Sequence, residues 1–323
     1  MKQIFTSIIV LFFIHEASAQ TPAIKWQKSL GGNGGETLYK MKKTSDGGYI
    51  LAGSADANNG DVTGNHGGLD CWIVKIDKSG TIQWQKSLGS FGDEEALDIE
   101  QTSDGGYIMA GYCHGDGGNV SGSHGSTDCW VVKLNAAGNV QWQKCLGGSD
   151  REGANSIKQT YDGGYVMAGY SVSNDGDVSG NHGGLGGPGL DYWIVKLSST
   201  GSIQWQKCLG GSGTEEAKSI LQTTDGGYLT VGQTNSNDGD VTGYHNSNFA
   251  YAEDCWIVKL DSTGNMQWQK CMGGNEIDQA NNIQLTMDGG YIMAGQTVSN
   301  DGDVSGNHGS SDYWIVKLRS CLS

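Results

Sequence analysis

The sequence predicts an all-β fold: a five-bladed β-propeller of four-stranded blades, the last blade closed by the N-terminal strand. Three observations lead there. Trp-Gln-Lys recurs at Trp26, Trp84, Trp142, Trp205 and Trp268, and Asp-Gly-Gly-Tyr at Asp46, Asp104, Asp162, Asp225 and Asp288. A third phrase, Trp-Ile/Val-Val-Lys, begins at Trp72, Trp130, Trp193, Trp256 and Trp314. The copies also begin and end out of phase, opening on Trp-Gln-Lys and closing on Trp-Ile-Val-Lys. Fixed periods of this length mark an array of like units. A ring sewn shut by its own ends needs such an offset, because closure removes the open sheet edge. An open array of repeats is the alternative arrangement.

The second copy shows the elements in order. Ala96–Thr102 reads as a short strand, ended by the turn signal Ser103-Asp104-Gly105-Gly106. Tyr107–Tyr112 is a second β-rich run, and after a glycine-rich loop Cys129–Leu134 is a third. Asn135-Ala136-Ala137-Gly138-Asn139 fits a type I turn closed by a left-handed glycine, and Val140–Leu146 returns from it. These four strands, a to d, recur every 58 to 63 residues with no helical periodicity between them. Strand d lacks a copy after the last c strand, and Ile24–Leu30 supplies it. If Asn135 faces Asn139 throughout, Trp130, Val132, Leu134, Val140, Trp142 and Lys144 share one face. The same register sets Cys129 opposite Cys145 and Cys255 opposite Cys271. Cys71 then faces Ser87, so a disulfide and a small half-buried side chain both suit the position.

The chain starts with a secretory signal peptide over residues 1–19: Lys2, an apolar run from Ile4 to Ile14, then Ala17-Ser18-Ala19. Residues 20–323 form a single propeller domain. The apolar run is too short to span a bilayer, and no later segment matches it. The expectation is an exported protein, secreted or periplasmic. A formal charge of -15 argues against nucleic acid and anionic membranes as partners.

Antiparallel strands put the d–a and b–c connections at one end of the array and the tight a–b and c–d turns at the other. The first end is the expected binding face. One acid per blade stands before strand a: Glu36, Glu94, Glu152, Glu215 and Asp278. With strand a innermost they would ring the mouth of a central channel, solvated or holding cations. The b–c loop running from Asp301 through Asp303, Ser305 and Gly306 to Asp312 spaces its oxygens like a calcium loop. Asp61, Asp70, Asp175, Asp177, Asp238 and Asp240 hold related positions in other copies, so calcium is the one candidate cofactor. Asp and Asn beside glycine also form ordinary Asx turns, and both readings stand. A histidine accompanies each loop (His66, His124, His182, His245, His308), as a metal ligand or as a bond to its own turn. The insertion carrying Phe249, Tyr251 and Glu253, with Tyr244 nearby, places aromatic rings beside acids, a mixture suited to stacking on a sugar or peptide.

Catalysis rests on a constellation found once, whereas nearly every polar candidate here occurs five times. No Gly-x-Ser-x-Gly elbow, His-Glu-x-x-His helix or phosphate loop is present. The expectation is a binding or adhesion module for a glycan or an extracellular protein. The alternative is a glycosidase-like enzyme using a carboxylate pair on the same face.

Asp312-Tyr313-Trp314-Ile315-Val316-Lys317-Leu318 and Leu260-Asp261-Ser262-Thr263-Gly264-Asn265-Met266-Gln267-Trp268-Gln269-Lys270 resemble the repeats of a family of exported Bacteroidetes proteins. The resemblance covers essentially the whole mature chain and implies lineage and export rather than an activity. Many members carry a C-terminal sorting domain for type IX secretion; this sequence ends at Ser323, so secreted and periplasmic forms are both expected before surface attachment. The c–d hairpin is also similar to that of PQQ-type propellers, which bears on blade packing alone.

Overall fold

The structure, a computed structural model, describes residues 23–183, 189–245 and 252–319. The signal segment, Phe249, Tyr251 and Cys321 lie outside the described residues. Among those described, nineteen strands form and no helix, so none is long and apolar enough to cross a membrane.

The strands fall into five antiparallel sheets, each ordered as in the sequence. The first holds β1 (Glu36–Lys43), β2 (Tyr49–Ala55), β3 (Asp70–Ile76) and β4 (Ile82–Leu88). The second holds β5 (Glu95–Gln101), β6 (Tyr107–Cys113), β7 (Asp128–Leu134) and β8 (Val140–Leu146). The third holds β9 (Glu152–Gln159), β10 (Tyr165–Ser171), β11 (Asp191–Leu197) and β12 (Ile203–Leu209). The fourth holds β13 (Glu215–Gln222), β14 (Tyr228–Thr234), β15 (Asp254–Leu260) and β16 (Met266–Met272). The last holds β17 (Asp278–Leu285), β18 (Tyr291–Thr297) and β19 (Asp312–Leu318). Successive first strands adjoin, so strand a lines the inner side of a propeller-type array of blades.

The repeated phrases explain themselves in the packing. Strand c is buried along its whole length in the first four sheets. Its Trp193 and Trp256 are fully buried, between one blade and the next. The indole N–H still needs an acceptor in that setting, and the Gln of Trp-Gln-Lys supplies it: Trp193 Nε1 donates to Gln206 Oε1 at 2.9 Å. The same amide donates onward to the b–c loop at Ser179. The Trp of strand d packs forward, edge to face, on the next blade's Asp-Gly-Gly-Tyr tyrosine, as Trp84 does on Tyr107 at 5.6 Å and Trp205 on Tyr228 at 5.5 Å. The Lys of strand c reaches the turn aspartate in all five blades. Against the effect of burial, bonds from Thr102 and Lys133 hold Asp104 down at about 2.

Two expectations are corrected. The c–d turn forms as read, with Gly138 at φ 76 and Asn135 N–H bonded to Asn139 O at 2.9 Å. A bulge between Lys133 and Leu134 then shifts the register by one. Cys129 therefore faces Leu146, and Cys145 faces Trp130. A one-residue shift moves every later side chain to the other face, so Trp142 joins the opposite interface from Trp130. All the described cysteines are free and buried.

The closing strand is the second correction. Residues 24–30 form no strand, and β17–β19 stays three-stranded among the described residues. The N-terminal segment is held elsewhere. Trp26 lies over Gly80 of the first c–d turn, as Trp84 lies over Gly138 one blade on. Leu30 packs on the cluster containing Trp72 and Val74. The segment thus sits on the first blade as a preceding strand d would, while β17–β19 makes no comparable contact with β1–β4. The array is open.

Candidate functional site

Strands a and c begin at the same end, and there the two acid families meet. Asp70, at the start of β3, and Glu94, just before β5, are both fully buried between adjacent blades. The same pairing holds for Asp128 with Glu152, Asp191 with Glu215 and Asp254 with Asp278. Each pair closes around a glycine. A Cβ on Gly89 would stand 2.4 Å from Glu94 Oε2 and 2.6 Å from Asp70 Oδ1, and Gly147, Gly210 and Gly273 repeat the arrangement. Only glycine lets the backbone pass between the two carboxylates. The expected ring of solvated acids at a channel mouth is therefore corrected: the four are enclosed in blade junctions.

Their hydrogen bonding is uneven. Glu215 accepts from Thr234 Oγ1 at 2.7 Å and Gly211 N at 2.8 Å. Asp191 Oδ2 accepts from His182 N at 2.9 Å and is 2.6 Å from His182 Nδ1. Oδ1 of Asp70, Asp128, Asp191 and Asp254 is buried without a partner. Burial pushes Asp70, Glu94, Asp191, Glu215 and Asp254 above the usual carboxylate range. The loop histidines take the bland role, bonding the aspartate that starts strand c. His182 also reaches forward to Asp240 of the next blade at 3.6 Å. Against the effect of burial, Asp191 and Asp240 push its pKa up.

The loop acids hold the backbone of neighbouring connections. Asp175 Oδ1 accepts from Ser149 N, Asp238 Oδ1 from Ser212 N, and Asp301 Oδ1 from Asn275 N, at 2.7, 2.7 and 2.9 Å. Each therefore caps the neighbouring d–a connection. Asp61 Oδ2 accepts from Gly31 N at 3.2 Å. Asp177 approaches His124 at 3.9 Å. Asp303 donates its backbone N–H to Gly273 O. Among the described residues, no three His, Cys, Asp or Glu side chains converge on one point. Tyr244 donates to Ala252 O at 2.9 Å and packs on the core. Glu253 accepts from Gln279 on the inner strand.

A different level of the array carries asymmetry, and the sequence reading missed it. One residue into strand a, paired across to strand b, the five blades present Thr37 with Ser54, Glu95 with Tyr112, Gly153 with Tyr170, Glu216 with Gln233, and Gln279 with Gln296. No two blades agree. Burial, with Glu95 beside them, raises the phenols of both Tyr39 and Tyr112. Burial pushes Tyr170 up to about 12, its ring lying over Gly153. Glu216 accepts from Asn155 Nδ2 at 2.9 Å and pairs with Lys218. Glu95, Tyr112, Tyr170, Glu216, Gln279 and Gln296 are half-exposed, making a rim of phenols, acids and amides. The signal was present in the doubled acids Glu94-Glu95 and Glu215-Glu216, whose second member strand alternation turns to the other face.

No family model matches this chain. It is 25% identical over 245 residues to the regulatory protein FlaEY of Caulobacter vibrioides, a match covering 71% of this chain and 25% of that protein. The chain thus spans about a quarter of that relative's length. Among solved structures it is similar to a thermostable family-43 glycoside hydrolase (TM-score 0.44, 13% identity, 89% of this chain and 91% of that one). A glucose dehydrogenase gives TM-score 0.44, 11% identity and coverage of 93% and 87%. BamB from Moraxella catarrhalis gives TM-score 0.32, 10% identity and coverage of 80% and 82%.

Proposed function

We propose that the chain is an exported propeller-type binding module whose ligand is a glycan, bound on the inner rim of the d–a and b–c loop face. One observation carries this reading: along the rim from Glu95 and Tyr112 to Glu216 and Gln279 no two of the five blades present the same pair. Half-exposed phenol rings offer flat apolar faces to a pyranose, and the acids and amides beside them accept and donate to its hydroxyls. A repeated junction, by contrast, is committed to holding two blades together. Calcium enters as a variable of the test, because the loop acids already serve as backbone caps.

The test is a glycan array followed by calorimetry on the best ligand, in calcium and in chelator. Glu95→Ala and Glu216→Ala should each weaken binding at least tenfold with a cooperative melt retained. Binding that survives both substitutions would overturn the assignment of the rim. Steady release of reducing sugar, abolished by either one, would establish the glycosidase-like alternative instead.

A further inference from the structure

The first and last sheets present two halves of one interface. At the junction between the third and fourth blades, Tyr192 stands fully buried against Trp256, ring centroids 4.6 Å apart, and donates to Trp256 O at 3.0 Å. Its hydroxyl lies beside Gly232, 2.7 Å from where a Cβ would be. Tyr313 holds the same position on β19 that Tyr192 holds on β11, yet it is 96% exposed. Ile315 beside it is 65% exposed, whereas Ile194, its counterpart, is fully buried. The matching receptor is found on the first blade. Gly53 and Trp72, counterparts of Gly232 and Trp256, line a pocket of about 200 Å³ with Leu38, Leu51 and Val74. The rim of that face is open too, with Leu38 58% and Met41 55% exposed where Ala217 and Ile220 are fully buried.

The polar half of the junction is divided in the same way. Glu36 closes on Gly31 as Glu215 closes on Gly210, but no aspartate joins it there. Its Oε1 is buried without a partner. The missing partner's counterpart is Asp312, which waits on β19 with His308.

We infer that this pocket is a docking site for Tyr313 of a second copy of the chain, joined head to tail, the last sheet of one molecule packing on the first sheet of the next. The junction is built four times within each molecule, and once, at Tyr192, with a tyrosine in this position, so its shape and charge complementarity are given. Bringing Tyr313 to Gly53 within a single molecule would re-angle all four packed junctions together, and close-packed interfaces resist gradual deformation. Docking a second copy alters none of them. Such a contact is heterologous, and it closes into a ring or grows according to the rotation between copies.

The experiment is sedimentation velocity over a hundredfold range of concentration on the purified chain, with two surface variants. Tyr313→Asp removes the knob and Leu38→Asp charges the socket; both positions are exposed, so each variant should melt like the parent. The parent should sediment as more than one copy, and each variant should raise the dissociation constant at least tenfold. A 1:1 mixture of the two should recover a dimer, because the first variant keeps its socket and the second keeps its knob. A parent that stays monomeric throughout, or a mixture that recovers nothing, would overturn the inference and point to closure within one molecule.

Discussion

Replacing Asp191 by Asn isolates one buried carboxylate pair. Asp191 Oδ1 and Glu215 Oε2 lie 2.7 and 2.5 Å from the point a Gly210 Cβ would occupy, which bounds their separation at about 5 Å. Oδ1 has no partner, and both carboxyls are raised by burial, Glu215 further by the Asp191 charge. A folded-state pKa above the unfolded value contributes stability that is full below the unfolded pKa, near 4, and lost as pH rises through the folded one. The parent should therefore lose stability at this junction as pH climbs from about 4 towards neutrality. Asn keeps an oxygen for the two His182 bonds and turns an N–H₂ group towards Glu215. Relieving a buried unsatisfied acceptor is worth about 1–3 kcal/mol, while losing the charge on the His182 bonds costs about 1 kcal/mol. At pH 8, where burial of the paired carboxylate charges costs most, the variant should lead by about 1–2 kcal/mol; at pH 5 the lead should vanish. Urea melts of both proteins between pH 4.5 and 8.5 read this directly. A gap that stays constant with pH, or that favours Asp191 at pH 8, would refute the reasoning.

Three further predictions need less argument. Gly210→Ala drives a methyl between those same two carboxylates and should cost about 1–3 kcal/mol by chemical denaturation. Asp98→Ala removes a fully buried carboxylate that Lys158 contacts at 2.9 Å and Lys40 at 3.6 Å, stranding the ammonium groups. It should cost about 3–5 kcal/mol, whereas Asp98→Asn, which keeps an acceptor for Ile157 N–H, should cost less. Trp193→Ala should cost about 3–5 kcal/mol, and Trp26→Ala, at a site 38% exposed, much less; a thermal melt ranks the two.

The blades were legible because their signals are local and repeated. Turn glycines, alternating strands and the Trp and Lys of strand c each act within one hairpin, so five copies confirm one another. The register of that hairpin was not legible beyond the bulge at Lys133, since a bulge depends on which side chains the neighbouring blade accepts. Closure was not legible for a related reason. Ile24–Leu30 carries the right residues for strand d, but its pairing depends on where a sheet some 290 residues later is held, and four junction angles decide that. The acids before strand a were found and misplaced. Glu94 and Glu215 look like surface residues because charges are seldom fully buried unless they are paired. Here the partner is another carboxylate, from a strand about 24 residues away in sequence, with glycine between them.

Repetition also explains why the rim is the place to look for function. Glu215 or Trp193 answers to two blades at once, and a change at either must be matched across the junction. Tyr112 or Gln279, paired one residue inside the strand ends, borders solvent. Such a position is not repeated from blade to blade, and acids, amides and phenols gather there. A five-fold scaffold supports an asymmetric ligand only through residues that escape the repeat. The doubled acids at Glu94-Glu95 and Glu215-Glu216 show both regimes side by side: the first residue of each pair is fixed by the glycine it encloses, and the second is left for the ligand.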